Sequence, residues 1–204
     1  MPEISLLLWD VGGVLLSNAW DGSVRTAAAT HFGLDATDFE RRHEAVVEAF
    51  ESGRLDGEDY LARTVFYQPR TFTPMEFQQF MCAQSRPHAA ALATARSLRQ
   101  GGKYVMAALN NESRELNEYR IRTFGLNDVF HVYFSSCYTG HRKPEAAAYR
   151  SALTLAQRTP EETLFLDDRP ENIAAAARLG LRTLEVRDPD RLREELAQVG
   201  VASG

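Results

Sequence analysis

The sequence predicts an α/β protein, a doubly wound, Rossmann-like parallel sheet with a helical-bundle cap inserted after the first strand. Three observations carry that expectation. The apolar run Leu6-Leu7-Leu8-Trp9 stops at Asp10 and is followed by Gly12-Gly13; such unbroken runs mark strands buried on both faces. From about Arg86 onward, short apolar strand-like segments alternate with helix-like ones, the signature of a parallel sheet covered on both sides. Between about Asn18 and Ser85 no convincing strand appears and the pattern is helical. The domains read as 1–17 with 86–204 for the core and 18–85 for the cap.

Taken in order, the cap should hold helices near 22–32, 37–52, 57–66 and 74–83. Thr37-Asp38-Phe39-Glu40 and Thr73-Pro74-Met75-Glu76 both have capping-box form, the second with Pro at the first helical position. Asp56-Gly57-Glu58 is another helix start. Phe39, His43, Val46, Val47 and Phe50 share one helical face. In the core, 88–100 is helical and stops at Gly101-Gly102. A strand is expected over 104–109, a helix over 113–124, a strand over 129–134 and a helix over 145–155. The last elements are a strand over 163–166 ending in Asp167-Asp168, a helix over 173–179, a strand over 182–186 and a helix over 190–199.

Composition narrows the function classes. The 204 residues are 44% hydrophobic and 25% charged, enough for a sizeable core. A net charge of −5 gives no electrostatic footprint for nucleic acid or an anionic membrane. No run reaches the ~20 apolar residues of a membrane span. Cys82 and Cys137 have no metal spacing and read as structural, reduced thiols. Met1-Pro2-Glu3-Ile4 lacks the basic region of a secretory signal, so the expected location is cytoplasmic.

Four polar sites fall at or just beyond predicted strand ends, where open parallel sheets bind ligands. They are Asp10, Asn110-Asn111, Lys143-Pro144 and Asp167-Asp168, the last followed by Asn172. Carboxylates with an open coordination position suit a hard cation such as Mg²⁺ together with a substrate phosphate. Lys143 balances that charge, Asn111 can donate to phosphate oxygens, and an aspartate can serve as nucleophile.

In composition and order these sites resemble the haloacid dehalogenase superfamily, in its phosphatase branch with a small helical cap. The chain is similar to small sugar-phosphate phosphatases and to the phosphatase domain of soluble epoxide hydrolases. The resemblance implies a Mg²⁺-dependent hydrolase of a small phosphorylated metabolite. It makes Asp10 the nucleophile, with Asp10, the Gly12 carbonyl and Asp168 as metal ligands and Asp167 and Asn172 in support. Lys143 would clamp Asp10 and the phosphoryl group, and Asn110 and Asn111 would bind the phosphoryl group.

Two positions depart from that pattern. The family's phosphatases usually carry an acid–base aspartate two residues after the nucleophile, and here that residue is Gly12. Asn110 stands where Ser or Thr is usual. A slow enzyme is one expectation, since acid–base help is typically worth about 10²–10⁴-fold. A catalytically impaired binding or regulatory protein is a second reading, and a metal-free 2-haloacid dehalogenase a third. Adjacent carboxylates without a cation would repel one another, which favours the metal-dependent reading over the third. His88, His131 and His141 have no partner at ligand spacing and read as structural or exposed, with His141 nearest to Lys143. In the cap, Arg41, Arg42 and Arg54 read as solvated or ion-paired, and Trp20 is placed to wall the entrance.

Overall fold

In the computed structural model, which describes residues 2–202, the central strand is β1 (Leu6–Trp9). It pairs in parallel with β2 (Val105–Ala108) on one side and β4 (Thr163–Asp167) on the other. The two-residue β3 (Val132–Tyr133) extends β2, and β5 (Arg182–Glu185) extends β4, giving the order β3-β2-β1-β4-β5. In register, Leu6 faces both Val105 and Thr163, and Trp9 faces both Ala108 and Leu166.

The two-residue period of a strand divides this sheet into two cores. Leu7 and Trp9 point with Met106, Ala108, Leu164 and Leu166 to one face. There they meet Ala91, Leu92, Ala95 and Leu98 of α6 (Ala89–Gly101) and Leu192 and Leu196 of α11 (Leu192–Gln198). Leu6 and Leu8 point with Ala107 and Phe165 to the other face. Their partners are Ala148, Tyr149, Ala152 and Leu153 of α9 (Ala146–Ala156) and Ala175 and Ala176 of α10 (Pro170–Arg178). Helices on both faces explain why β1 is apolar throughout and fully buried.

Between β1 and α6 lie five helices: α1 (Gly22–Phe32), α2 (Ala36–Glu44), α3 (Val47–Glu51), α4 (Gly57–Thr64) and α5 (Pro74–Ala83). They enclose an apolar cluster of their own, with Phe39, Phe50, Tyr60, Leu61, Phe77 and Met81 at its centre. The chain segments leading in and out are joined where Ser17 N–H donates to the Arg86 carbonyl at 2.8 Å and Ser17 Oγ to the Gln84 carbonyl at 3.0 Å. The remaining α-helices among the described residues are α7 (Arg114–Thr123) and a short α8 (Ser136–Thr139). Among the described residues no helix is long and apolar enough to cross a membrane.

Some local expectations change. The helix expected over 37–52 breaks at Ala45 and Val46, where Val46 leaves the helical region with φ −129° and ψ −10°. After the break Phe50 lies flat on Tyr60, their ring centroids 4.0 Å apart. The cap of α2 is Asp35, which accepts from Asp38 N–H, so Thr37 lies inside the helix. The Thr73–Glu76 box forms as expected. The strand expected over 129–134 shrinks to two residues, because 126–128 close a 3₁₀ turn and Phe130 N–H bonds back to the Leu126 carbonyl. Helix α10 starts at Pro170 rather than 173, with Asp167 Oδ1 accepting Arg169 N–H just ahead of it.

Candidate active site

Parallel pairing brings the C-terminal ends of β1, β2 and β4 side by side, and with them the polar residues that follow. Asp10 N–H still donates to the Leu166 carbonyl at 2.8 Å, and Leu109 N–H to the Trp9 carbonyl at 2.7 Å. Asp10 is therefore fixed by the sheet ladder itself. The chain then turns through Gly13, whose φ is +73°. A Cβ there would stand 2.1 Å from Asp168 Oδ2, so glycine is required both by the turn and by the neighbouring carboxylate.

Asp10, Asp167 and Asp168 bring carboxylate oxygens within 4.8 Å of one another. Lys143 is buried among them, its Nζ 3.0 Å from Asp10 Oδ2 and 2.6 Å from Asp167 Oδ2. Burial works against the ammonium charge, but Asp10 and Asp167 outweigh it and hold Lys143 above its usual range. Asp10 is pushed up to about 7 by burial, with Lys143 pulling down and Asp167 and Asp168 adding repulsion. Burial also raises Asp168, opposed by a hydrogen bond from Asn18 and helped by the charge of Asp167.

The acidic pair divides its work. Asp167 is fully buried, and both its oxygens are occupied: Lys143 Nζ, Arg169 N–H and the Asn172 amide all donate to it. Asp168 receives Asn18 Nδ2 on Oδ2 at 3.2 Å, and its Oδ1 is buried with no partner. A buried carboxylate oxygen left unsatisfied beside two other carboxylates is an electrostatic cost that a cation would remove. The donor set of hard oxygens suits Mg²⁺.

The asparagine pair separates into two environments. Asn111 faces the cavity and grips the backbone of Lys143 from both sides. Its Oδ1 accepts Lys143 N–H at 2.8 Å, and its Nδ2 donates to the Lys143 carbonyl at 2.7 Å. Asn110 is buried, and its amide is spent on Asn117 Oδ1 at 3.1 Å and Ser135 Oγ at 2.7 Å. Asn111 thus sets where Lys143 stands, while Asn110 ties the end of β2 to α7 and the start of α8.

Above these groups opens a cavity of about 360 Å³ lined by Asp10, Gly12, Asn111, Lys143 and Asn172. Its remaining wall includes Trp20, as expected, and several residues that no local sequence pattern marks. Asn18, Trp20 and Arg25 descend from the helical insert. Arg142 pairs with Glu51 at 2.7 Å and Arg120 with Glu112 at 2.8 Å. Glu112 follows Asn110-Asn111 directly, which was a usable signal. Arg120 was hidden in an ordinary helical pattern. Arg41 and Arg42 bond Asp38, and Arg54 bonds Glu48. His131 Nδ1 accepts Met106 N–H, a structural role at the sheet edge.

With this geometry in view, the likeness to known proteins is coherent. The chain is 26% identical over 206 residues to flavin mononucleotide hydrolase 1 of Arabidopsis thaliana, covering 98% of this chain and 79% of that one. It is also 26% identical over 194 residues to a sesquiterpene phosphatase of Aspergillus oryzae, covering 94% of each. A solved HAD family enzyme of Bacteroides thetaiotaomicron, in complex with magnesium and inorganic phosphate, shares the fold with a TM-score of 0.75. That structure is 21% identical, covering 89% of this chain and 93% of that one. Residues 4–180 match the family model described as haloacid dehalogenase-like hydrolase, and the chain belongs to that family of hydrolases.

Proposed function

We propose that this protein is a Mg²⁺-dependent phosphomonoester hydrolase for a small phosphorylated metabolite, working through an aspartyl-phosphate on Asp10. The observation that carries this reading is the unpartnered, buried Asp168 Oδ1 beside Asp10, next to an Asp167 whose oxygens are already filled. The named activities of the Arabidopsis and Aspergillus relatives support it, as does the magnesium and phosphate complex of the Bacteroides fold neighbour. Asp10, the Gly12 carbonyl and Asp168 would hold the cation, which when bound supplies charge neutralisation for the phosphoryl oxygens.

The chain's own groups do the rest. Asp10 attacks phosphorus with Lys143 beside it, offsetting negative charge on the nucleophile and on the transferring group. Asn172 and Arg169 N–H keep Asp167 turned toward Lys143, and Asn111 fixes the loop that carries it. Residues 18–85 form a cap whose Trp20 and Arg25 close the cavity over the substrate and exclude water.

The test is phosphate release from p-nitrophenyl phosphate with and without Mg²⁺, in the wild type and in Asp10→Asn. Turnover should require Mg²⁺ and fall at least 10³-fold in the variant. Activity surviving Asp10→Asn would refute the nucleophile. Chelator-insensitive halide release from a 2-haloacid would replace the whole reading with dehalogenation.

A further inference from the structure

Breaking a phosphate ester of an ordinary alcohol needs a proton for the departing oxygen, and position 12 offers none. We infer that Glu112, held by Arg120 in the wall of the cavity that Asp10 and Gly12 also line, is the acid–base group of this active site. The inference rests on the phosphomonoesterase reading above.

The space next to Gly12 is already furnished. A Cβ placed on Gly12 would lie 2.6 Å from Asn18 Oδ1 and 3.6 Å from Arg120 Nη1. That guanidinium is buried and fully anchored: Nε donates to Ser85 Oγ at 3.2 Å, Nη2 to the Ser17 carbonyl at 2.9 Å, and Nη1 to Glu112 Oε2 at 2.8 Å. Arg120 Nη1 thus stands between the two, 3.6 Å from where a side chain at position 12 would begin and 2.8 Å from Glu112 Oε2. The other Glu112 oxygen accepts Ser113 N–H at 3.1 Å. Glu112 lines the same cavity as Asp10 and Gly12, with 12% of its side chain open.

Among the described residues, the other carboxylates in the cavity wall are committed or remote from this role. Asp21 caps α1 through Val24 N–H and also accepts from Ser23 Oγ. Glu51 is paired with Arg142. Glu171 is exposed in the first turn of α10. Asp10 is the nucleophile. Burial pushes Glu112 up to about 7; Arg120 pulls it down, Glu51 adds to the rise and Ser113 N–H opposes it. The charged groups around it are thus Arg120 from α7, Glu51 from α3 and Arg142, which neutralises Glu51. Both protonation states are accessible near neutrality, as acid–base work requires.

The proton balance closes. As the Asp10–phosphorus bond forms and the ester O–P bond breaks, protonated Glu112 gives its proton to the departing oxygen. The alcohol leaves and the Glu112 carboxylate is held by Arg120. Glu112 then takes a proton from water as that oxygen attacks phosphorus, the Asp10–phosphorus bond breaks, and inorganic phosphate departs.

The experiment compares an alkyl ester, glycerol 3-phosphate, with p-nitrophenyl phosphate, whose leaving group departs without a proton. Glu112→Gln can still accept from Arg120. It should lower kcat/KM for the alkyl ester about 10²–10⁴-fold and leave the aryl ester within about threefold. The wild-type fall in alkyl kcat/KM above pH 7 should vanish in Glu112→Gln and persist in Glu112→Asp. Rapid mixing of Glu112→Gln with the aryl ester should show a burst of nitrophenol, because the second step has lost its base. Equal losses on both esters, no loss on either, or a pH limb absent from Glu112→Asp would overturn the inference. A wild type that cleaves the aryl ester and not the alkyl one would do the same. A wild type that cleaves neither would remove the phosphatase reading itself.

Discussion

Gly13 and Gly12 are neighbours with different duties, and single alanines separate them. At Gly13 a methyl group meets Asp168 Oδ2 at 2.1 Å and Asp168 Cγ at 2.3 Å, on a backbone of φ +73°. At Gly12 it meets the far end of the Asn18 side chain, which can rotate away. Gly13→Ala should therefore cost about 1–2 kcal/mol in stability for the left-handed backbone. It should also displace the Asp168 carboxylate and weaken Mg²⁺ binding at least tenfold, read by calorimetric titration. Gly12→Ala should loosen Mg²⁺ by a smaller factor, through loss of the Asn18–Asp168 hydrogen bond. Equal Mg²⁺ affinities in the two variants would show that Asp168 is not where the cation is felt.

At the level of elements, what could be read in advance was what depends on local pattern. Unbroken apolar runs marked β1, β2 and β4, and the Thr73–Glu76 box marked α5. The carboxylates and the lysine of the site were visible because they interrupt or follow such runs. Less legible was everything decided by tertiary contact. Helix α3 carries Phe50 onto the Tyr60 ring, and at the start of α8 Ser136 Oγ donates to the Glu51 carbonyl at 2.6 Å. Asn18 and Arg120 reach Gly12 from two distant stretches of chain, with Glu112 bonded to Arg120, and no spacing rule announces that. The join between α2 and α4 is of this kind too. Trp20 Nε1 donates to Tyr60 Oη at 2.9 Å, and that hydroxyl bonds His43 Nδ1 at 2.9 Å. Tyr60→Phe leaves both partners unsatisfied, a loss of about 1–3 kcal/mol measurable by urea denaturation. It also frees Trp20 in the cavity wall. The expected kinetic signature is a raised KM with kcat held within about threefold. A variant with unchanged KM would mean that Trp20 is held by its ring contacts with Phe39 and Phe77 alone.

The molecule as a whole is two bodies on one chain, a sheet with an apolar core on each face and a helical insert with a third, clamped across the cavity they enclose. The clamps are the Ser17–Arg86 join, the Glu51–Arg142 ion pair, the Ser136–Glu51 hydrogen bond and Gly57 N–H donating to Glu115 Oε1 at 2.8 Å. Acid should attack these bodies unequally, because the helical one holds a buried imidazole. Burial presses His43 down to about 4, Arg25 and Arg142 add to that, and Glu40 opposes it. The unfolded chain binds its proton near pH 6.5. Between about pH 6.5 and pH 4 the unfolded state therefore holds more protons than the folded one, and stability falls as pH falls. From pH 7 to pH 5 this one group removes about 2 kcal/mol. Asp10 and Glu112, both held near 7 in the fold, act with the opposite sign over the same range, so the total slope is no test. The difference between wild type and His43→Gln is, because the glutamine carbonyl accepts from Tyr60 and does not titrate. Urea unfolding at pH 7 and pH 5 should show wild type losing about 2 kcal/mol more than His43→Gln. Tryptophan fluorescence should report the loss, since Trp20 lies at the end of the same hydrogen-bond chain. Parallel losses in the two proteins would mean that His43 already carries its proton in the folded state and that Tyr60 does not donate to it.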